Sequence, residues 1–279
     1  MIRRPVVAGR FYAGFEKDLK VEIKKCFEHN KGPGSMPGPV VDKMTTPIGL
    51  ISPHAGYVYS GPVAAHAYFA AAEKGRPERV VIIGPNHTGY GSGISVWPHG
   101  IWRTPLGSIS VDHQFVEDLE NRFGDSLSKD TTAHILEHSV EVQIPFLQAI
   151  YGNDFLLVPL IMADQSIDTS RKLASTLKEM VSESEPTLFV ASSDLNHYES
   201  HDVTSRKDEL LIRSIEKQDD ELVYRTAHTE RISACGIGPV CVLLRMFSSI
   251  TSLAHATSGE ISGELAHTVG YYAAVLDSY

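Results

Sequence analysis

Ile48-Gly49-Leu50-Ile51-Ser52-Pro53-His54-Ala55-Gly56-Tyr57 is an apolar run that passes directly into a histidine-containing turn. Short apolar runs bounded by turn residues are typical of buried strands. In open α/β sheets, ligand sites gather outside the carboxyl ends of such strands. The stretch therefore predicts an α/β fold with His54 at the functional edge of the sheet.

Two further strands are predicted to end in the same way. The apolar run at 80–83 is followed by Gly-Pro-Asn and His87, and the run at 188–191 is followed by Ser-Ser-Asp-Leu-Asn and His197. Three histidines delivered by three strand ends predict one shared site with His54. The alternative is that each histidine is an unrelated loop residue that satisfies its own hydrogen bonds.

The rest of the chain alternates between helical and strand-like patterns. Further strands are predicted at 94–97, 108–111, 155–161, 253–257 and 268–276. Helices are predicted at 16–30, 63–73, 112–123, 139–151, 167–181, 202–228 (in two pieces) and 233–247. This order predicts a single three-layer α/β/α domain over residues 1–279, built around a mostly parallel or mixed sheet. The stretch 102–107 is predicted to form a hairpin over the site.

Composition narrows the classes of function. The formal net charge of −9 argues against nucleic acid as a partner, because contact with phosphates needs a basic surface. Three cysteines are too few for a disulfide framework and fit a reducing compartment. The N-terminus lacks the apolar region of a signal peptide, and no apolar run has the length of a membrane span. These features predict a cytoplasmic protein.

His54, His87 and Cys235 are the candidate metal ligands. Two imidazoles and one thiolate suit a borderline or soft metal such as Zn, Cu or Fe(II), and three protein ligands leave a coordination position open. Cys235 stands at the predicted start of an apolar helix, where the positive end of the helix dipole favours a thiolate. Cys26 and Cys241 are predicted to be packed core residues.

A second group of titratable residues is predicted to act as general acids or bases, or to orient the ligands. Its members are Glu137, His138, Glu141, Asp194 and His197. Asp194 and His197 are the stronger pair because both follow one buried strand. The alternative is that Asp194 caps the next helix and that His197 only binds to it. A serine-hydrolase site is a poorer fit, because the G-x-S-x-G elbow is absent.

Several motifs taken together resemble those of the Memo family, called AmmeMemoRadiSam system protein B in bacteria and archaea, over essentially the whole chain. The motifs are Pro5-Val6-Val7-Ala8-Gly9-Arg10-Phe11-Tyr12, Ser52-Pro53-His54-Ala55-Gly56-Tyr57, Gly84-Pro85-Asn86-His87, Glu137-His138-Ser139-Val140-Glu141-Val142-Gln143-Ile144-Pro145-Phe146-Leu147, Ser192-Ser193-Asp194-Leu195-Asn196-His197-Tyr198 and Ala234-Cys235-Gly236-Ile237-Gly238-Pro239.

The resemblance implies the fold of the LigB-like class III extradiol ring-cleaving dioxygenases, which hold non-haem Fe(II) with two histidines and one carboxylate. The matching positions here are His54, His87 and Cys235, so a thiol replaces the carboxylate. This change argues against dioxygenase activity, since a thiolate favours softer metals and is itself oxidisable. The resemblance also implies radical-SAM and AMMECR1-like partner proteins, and eukaryotic relatives that bind phosphotyrosine peptides.

Three functions are compatible with these residues. The first is a metal-dependent redox enzyme of dioxygenase ancestry. The second is a non-catalytic adaptor that uses the ancestral pocket for a peptide or a small anion. The third is a metal-dependent hydrolase.

Overall fold

A computed structural model describes residues 1–181 and 185–278 of the chain. The α/β class predicted from the sequence is confirmed, with a mixed sheet flanked by helices. The strands are β1 (Ile2–Arg3), β2 (Ile48–Ser52), β3 (Arg79–Pro85), β4 (Ile94–Val96), β5 (Ile101–Thr104), β6 (Gly107–Val111), β7 (Leu127–Lys129), β8 (Leu156–Met162), β9 (Thr187–Ser192), β10 (His197–Glu199), β11 (Ser249–Thr257) and β12 (Thr268–Asp277).

The helices lie between these strands along the chain. They are α1 (Glu16–Glu28), α2 (Tyr57–Glu73), α3 (His113–Phe123), α4 (Thr132–Ile135), α5 (Ile144–Tyr151), α6 (Ile167–Met180), α7 (His201–Glu216), α8 (Asp220–Thr229), α9 (Ile237–Met246) and α10 (Ser258–Ser262), with a 3₁₀ turn at Glu141–Gln143 before α5. Within the described residues, no helix combines the length and apolar character that crossing a bilayer requires.

The sheet has the order β1-β5-β6-β8-β3-β9-β2-β12-β10, with β11 added beside β12 and β4 joining β8 to β7. Strands β8, β3, β9 and β2 run parallel, whereas β12 is antiparallel to β2. The residues of β2 and β9 are all buried, which is the pattern of parallel strands covered on both faces. α2 packs on β2 and β12, and α9 packs on β3 and β9.

Strand register decides which loops become neighbours. β9 lies between β2 and β3, with Ser192 opposite Ser52 and Ala191 opposite Ile83. Because the three strands are parallel, their carboxyl ends meet at one edge of the sheet. The loops that follow them are therefore side by side, which is the arrangement that the sequence pattern predicts.

Short-range sequence patterns predicted several helices correctly. In α1 the side chains of Leu19, Ile23, Cys26 and Phe27 are buried on one face, as their spacing predicts. α3 begins after Asp112, whose carboxylate accepts a hydrogen bond from the Phe115 amide at 3.1 Å.

Three local predictions differ from the structure. α2 begins at Tyr57, not at Val63, and Pro62 lies inside it. The Phe11 carbonyl accepts from the Tyr57 amide at 2.7 Å and so satisfies a backbone donor at the start of the helix. Residues 139–143 form an irregular turn and a 3₁₀ turn before α5. The predicted hairpin exists as β5 and β6, which pair with β1 and β8. It does not cover the histidines, since the cleft over them is lined by other parts of the chain.

Candidate metal centre

Three histidine side chains meet at the carboxyl edge of the sheet. The ligand nitrogens of His54, His87 and His138 lie within 4.8 Å of one another. The His87 and His138 rings are stacked with centroids 4.7 Å apart, and the His54 ring stands edge-on at 5.2 Å from His87 and 5.5 Å from His138. The three imidazoles are thus close enough for one metal ion to contact all of them.

The proton of the His54 ring is placed by a buried hydroxyl group. Ser192 Oγ donates its only proton to the Ser139 carbonyl at 2.7 Å and lies 2.8 Å from His54 Nδ1. Since that hydroxyl must accept from the imidazole, His54 carries its proton on Nδ1. Gln143 Nε2 donates to the same hydroxyl oxygen at 2.7 Å and fixes its position. The Nε2 atom of His54 therefore presents a lone pair.

His87 is oriented by a carboxylate. Glu137 Oε1 accepts from His87 Nδ1 at 2.9 Å, and Glu137 Oε2 accepts from the His87 amide at 2.6 Å. The amides of His138 and Ser139 also donate to Glu137 Oε1, each at 2.9 Å. This pattern places a proton on His87 Nδ1, so the neutral ring offers the lone pair of Nε2, in the carboxylate–histidine arrangement common around metals.

The pKa values of these groups follow from burial and from this carboxylate. Burial opposes ionisation of Glu137, but the His87 contact and the backbone amides outweigh it and lower its pKa to about 2. Burial also opposes a charged His87, yet Glu137 raises the pKa of that imidazole. Burial lowers the pKa of His138 to about 4 and lowers the pKa of His54 well below its usual value. His54 and His138 are accordingly neutral at pH 7, the form that binds metals.

Cys235 lies beside His54. Its Sγ atom is 3.2 Å from His54 Nε2, and the Asp194 amide donates to the same sulfur at 3.3 Å. The cysteine precedes α9, and the Gly236 amide donates to Ser193 Oγ at 3.0 Å. A Cβ on Gly236 would lie 2.4 Å from the Ser192 carbonyl oxygen, so glycine permits the close approach of the two loops.

The sequence predicted a thiolate at Cys235, but in the molecule without metal the start of α9 does not by itself produce one. Burial and the nearby Asp194 carboxylate raise the pKa of the thiol, which outweighs the start of α9. Without a metal, Cys235 is therefore a neutral thiol, and both His54 Nε2 and the Asp194 carbonyl oxygen lie within reach as acceptors. A bound metal would change this state, because a coordinating thiol is deprotonated. Cys26 and Cys241 are buried free cysteines, as predicted.

Asp194 and His197 occupy different parts of the site. The carboxylate of Asp194 accepts from the His54 amide at 2.8 Å, and burial raises its pKa. The element that follows Asp194 along the chain is the strand β10, so Asp194 does not cap a helix. Its carboxylate supports the His54 loop instead. His197 donates from Nδ1 to the Ser233 carbonyl at 3.0 Å, which leaves its Nε2 atom free.

A cleft of about 510 Å³ opens over the imidazoles. His54, His87, His138, Asp194 and His197 all line it, so the structure brings together these five predicted residues. The remaining lining includes side chains that sequence reasoning missed, namely Phe11, Tyr59, Tyr198, Glu264, His267 and Tyr271. The Pro5–Tyr12 motif contains Phe11 and was therefore a sequence signal for the first of these.

The fold and the site define an α/β protein that carries a histidine cluster at the carboxyl ends of its parallel strands. The family model described as "Memo-like protein" matches residues 3–275. The chain belongs to the Memo family. This finding confirms the family predicted from the motifs.

Relatives support the same conclusion. A MEMO1 family protein of Thermotoga neapolitana is 48% identical over 99% of this chain and 100% of its own length. A MEMO1 family protein of Thermotoga maritima shows the same identity and coverage, and one from Methanopyrus kandleri is 41% identical over 99% of both chains. The crystal structure of the uncharacterized protein JW3007 from Escherichia coli K12 is similar in fold, with a TM-score of 0.54, 14% identity, and coverage of 82% of this chain and 99% of that chain.

Proposed function

We propose that this Memo-family chain is a metal-dependent oxidoreductase whose centre is held by His54 and His87, with His138 or Cys235 as the third ligand. The observation that carries the proposal is the clustering of three imidazoles whose ligand nitrogens lie within 4.8 Å of one another. His54 is buried, whereas His87 is exposed and His138 is half-buried at the cleft, so an ion arriving from solvent could reach all three.

The protonation of the ligands supports the proposal. Ser192 and Glu137 bind the Nδ1–H groups of His54 and His87, so in the neutral imidazoles both Nε2 atoms carry the lone pair that a metal would bind. Imidazole nitrogens suit Zn, Cu and Fe(II), and a thiolate from Cys235 would shift the preference toward softer ions. A redox-active Cu or Fe ion bound there would supply electron exchange with a substrate.

Asp194 and His197 are the proposed proton donors and acceptors. The raised pKa of the Asp194 carboxyl keeps it closer to neutral pH than an exposed aspartate, which suits a general acid or base. His197 faces the cleft and has a free Nε2 atom. Glu137 and His138 were also predicted as catalytic residues. In this proposal Glu137 orients His87, and His138 is a candidate for the third ligand.

The third ligand distinguishes two versions of the site. In one version the third ligand is His138, which belongs to the imidazole cluster. In the other it is Cys235, whose Sγ atom lies 3.2 Å from His54 Nε2. His138→Ala and Cys235→Ser variants can be compared in titrations with Zn²⁺, Cu⁺ and Fe²⁺. The true third ligand is the one whose loss weakens binding by the larger factor.

The experiment that tests the proposal is a metal analysis of untagged protein, followed by calorimetric titration. We expect retained Fe, Cu or Zn and loss of binding in His54→Ala and His87→Ala. The exposed His228 supplies a matched control, because His228→Ala removes an imidazole far from these ligands in sequence. A wild-type protein that binds none of the three ions would end the proposal.

A second candidate function is a binding module for a peptide or a small anion. The observation in its favour is the aromatic rim of the cleft, where Tyr59 and Tyr198 are both exposed and Tyr198 adopts a positive φ of 63°. Peptide binding that persists after metal chelation and is lost in Tyr59→Ala would favour this function.

A metal-dependent hydrolase and the partner proteins are further proposals. Hydrolysis of esters or amides that starts only on addition of Zn²⁺ would favour the hydrolase. Partnership with a radical-SAM protein and an AMMECR1-like protein rests on the family resemblance. Co-purification from cells that express all three proteins tests it.

A further inference from the structure

We infer that the N-terminal segment, residues 3–12, is a positioning element for the histidine cluster, and that Arg3 and Phe11 set the place of His138. The inference rests on the metal site proposed above. It concerns the segment whose motif the ligand set leaves unexplained. Two independent sets of contacts connect this segment to His138.

Arg3 holds the chain that leads into His138. Its side chain is buried, at 2% exposure. The guanidinium donates to the His134 carbonyl at 3.0 and 3.2 Å and to the Glu137 carbonyl at 2.6 Å. One cation thus fixes both ends of the short stretch that precedes His138. The fork of guanidinium donors suits this task, which a single ammonium group cannot reproduce.

The guanidinium is itself held on two sides. It lies 4.6 Å from the centre of the Trp102 ring, within the range of a cation–π contact. It also forms a buried ion pair with Glu141. Arg3 therefore occupies one defined place between the β5 strand and the site loop.

Glu141 binds the remainder of the segment. Its carboxylate accepts from the Val6 amide at 2.9 Å, from the Val7 amide at 3.1 Å and from the Tyr12 hydroxyl at 2.6 Å. These bonds commit both oxygens of a side chain that sequence reasoning offered as an acid or base. Glu141 instead fastens the N-terminal segment to the turn that carries His138.

Phe11 touches His138 directly. The two ring centroids are 4.7 Å apart, with the planes tilted by 49°. The Phe11 carbonyl also accepts from the Tyr57 amide at 2.7 Å, at the start of α2 and three residues after His54. The Phe11 ring therefore packs on one proposed ligand while its backbone supports the loop of another.

The chain offers matched variants for a test. Arg3→Met would leave the Glu141 carboxylate buried without its cation and would endanger folding, so Arg3→Lys is the better variant. Phe11→Leu removes the aromatic contact with little change in volume. Arg4→Lys is the control, because it makes the same change of residue type at the adjacent, exposed position.

Two measurements decide the inference. The first is the position of the His138 ring signals in proton–carbon NMR spectra recorded at one fixed pH without added metal. The second is the Kd for Zn²⁺ from calorimetry, measured for each variant alone and combined with His138→Ala. A purely structural role of Arg3 would lower thermal stability without acting specifically through His138.

We expect Arg3→Lys and Phe11→Leu to move the His138 signals and to weaken Zn²⁺ binding about tenfold, as loss of an outer contact to a ligand does. Arg4→Lys should change neither quantity. In the His138→Ala background, Arg3→Lys should add less than about a twofold change, because the ligand through which it acts is gone.

Two results would overturn the inference. One is that the His138 signals stay in place in both variants. The other is an equal loss of Zn²⁺ affinity from Arg3→Lys with and without His138. A wild-type protein that takes up no metal would refute the proposed function alone, and the NMR spectra would still decide whether the segment positions His138.

Discussion

Cys235 Sγ lies 3.2 Å from His54 Nε2 and 3.7 Å from the Asp194 carbonyl oxygen, so its thiol has two acceptors within reach. The Ser192 hydroxyl keeps the His54 proton on Nδ1, so Nε2 faces the sulfur with its lone pair. Because the thiol pKa is raised by burial and by Asp194, the pair is neutral. A metal entering the site would displace the thiol proton if it took both atoms as ligands, and binding would then release protons.

The charge of Asp194 should control the reactivity of Cys235. We expect alkylation of Cys235 by iodoacetamide at pH 8 to be slow, and Asp194→Asn to speed it several-fold, because loss of the nearby negative charge lowers the thiol pKa. Peptide mass spectrometry measures the rate at each cysteine. Cys241, buried in α9, is the internal control. An unchanged rate at Cys235 would show that the carboxylate does not govern the thiol.

Glu137→Gln should weaken metal binding. An amide has one acceptor oxygen in place of two, so it cannot serve the His87 amide, His87 Nδ1 and the following backbone together. We expect a loss of about 10- to 100-fold in Zn²⁺ affinity, measured by calorimetry. Glu264→Gln is the matched control, since that exposed carboxylate at the cleft binds the Ala266 and His267 amides. Equal affinities of the two variants would contradict the role of Glu137.

Ser192→Ala should disturb the tautomer of His54. The substitution removes the acceptor for His54 Nδ1–H and the donor to the Ser139 carbonyl, at a cost of about 1–3 kcal/mol in the free energy of unfolding. The Gln143 amide keeps the Pro53 carbonyl at 3.0 Å as an acceptor. Nitrogen NMR of the imidazole measures the tautomer, and urea unfolding measures the stability. We expect a mixture of Nδ1–H and Nε2–H forms in the variant. A His54 ring that keeps a single Nδ1–H form would refute this account.

His134 should make stability depend on pH. Its ring is fully buried between Trp97 and Trp102, and burial lowers its pKa to about 3. The unfolded chain therefore binds a proton near pH 6.5 that the folded chain refuses. The neutral ring's contribution to stability is fully present above that pH and is lost as pH falls toward 3, at about 1.4 kcal/mol per pH unit.

The variant His134→Phe keeps a flat ring and removes this titration. Urea unfolding between pH 4.5 and 8 should show that, below pH 6.5, the free energy of unfolding falls less steeply with pH in the variant than in the wild type. The difference between the two slopes should correspond to the uptake of about one proton on unfolding. Above pH 6.5 the two curves should run parallel. Curves that stay parallel over the whole range would mean that His134 is protonated alike in the folded and unfolded chains.

The sequence by itself determined the fold class and the edge of the sheet where the site lies. Apolar runs that end at Ser52, Pro85 and Ser192 are local signals, and a parallel sheet brings such ends together whatever the intervening chain does. Helices such as α1 and α3 were likewise predictable, since side-chain spacing and an Asp112 cap are contained within a few residues.

Only the tertiary structure decided the membership and the chemical state of the centre. His138 follows no strand end, and it reaches the cluster because Glu137 binds the His87 loop across 50 residues of sequence. The Cys235 thiol is neutral because burial and Asp194 outweigh the helix end, and burial is a property of the packed molecule. Arg3 binds the same loop across 134 residues of sequence. Long-range packing, which no local pattern encodes, sets these relationships.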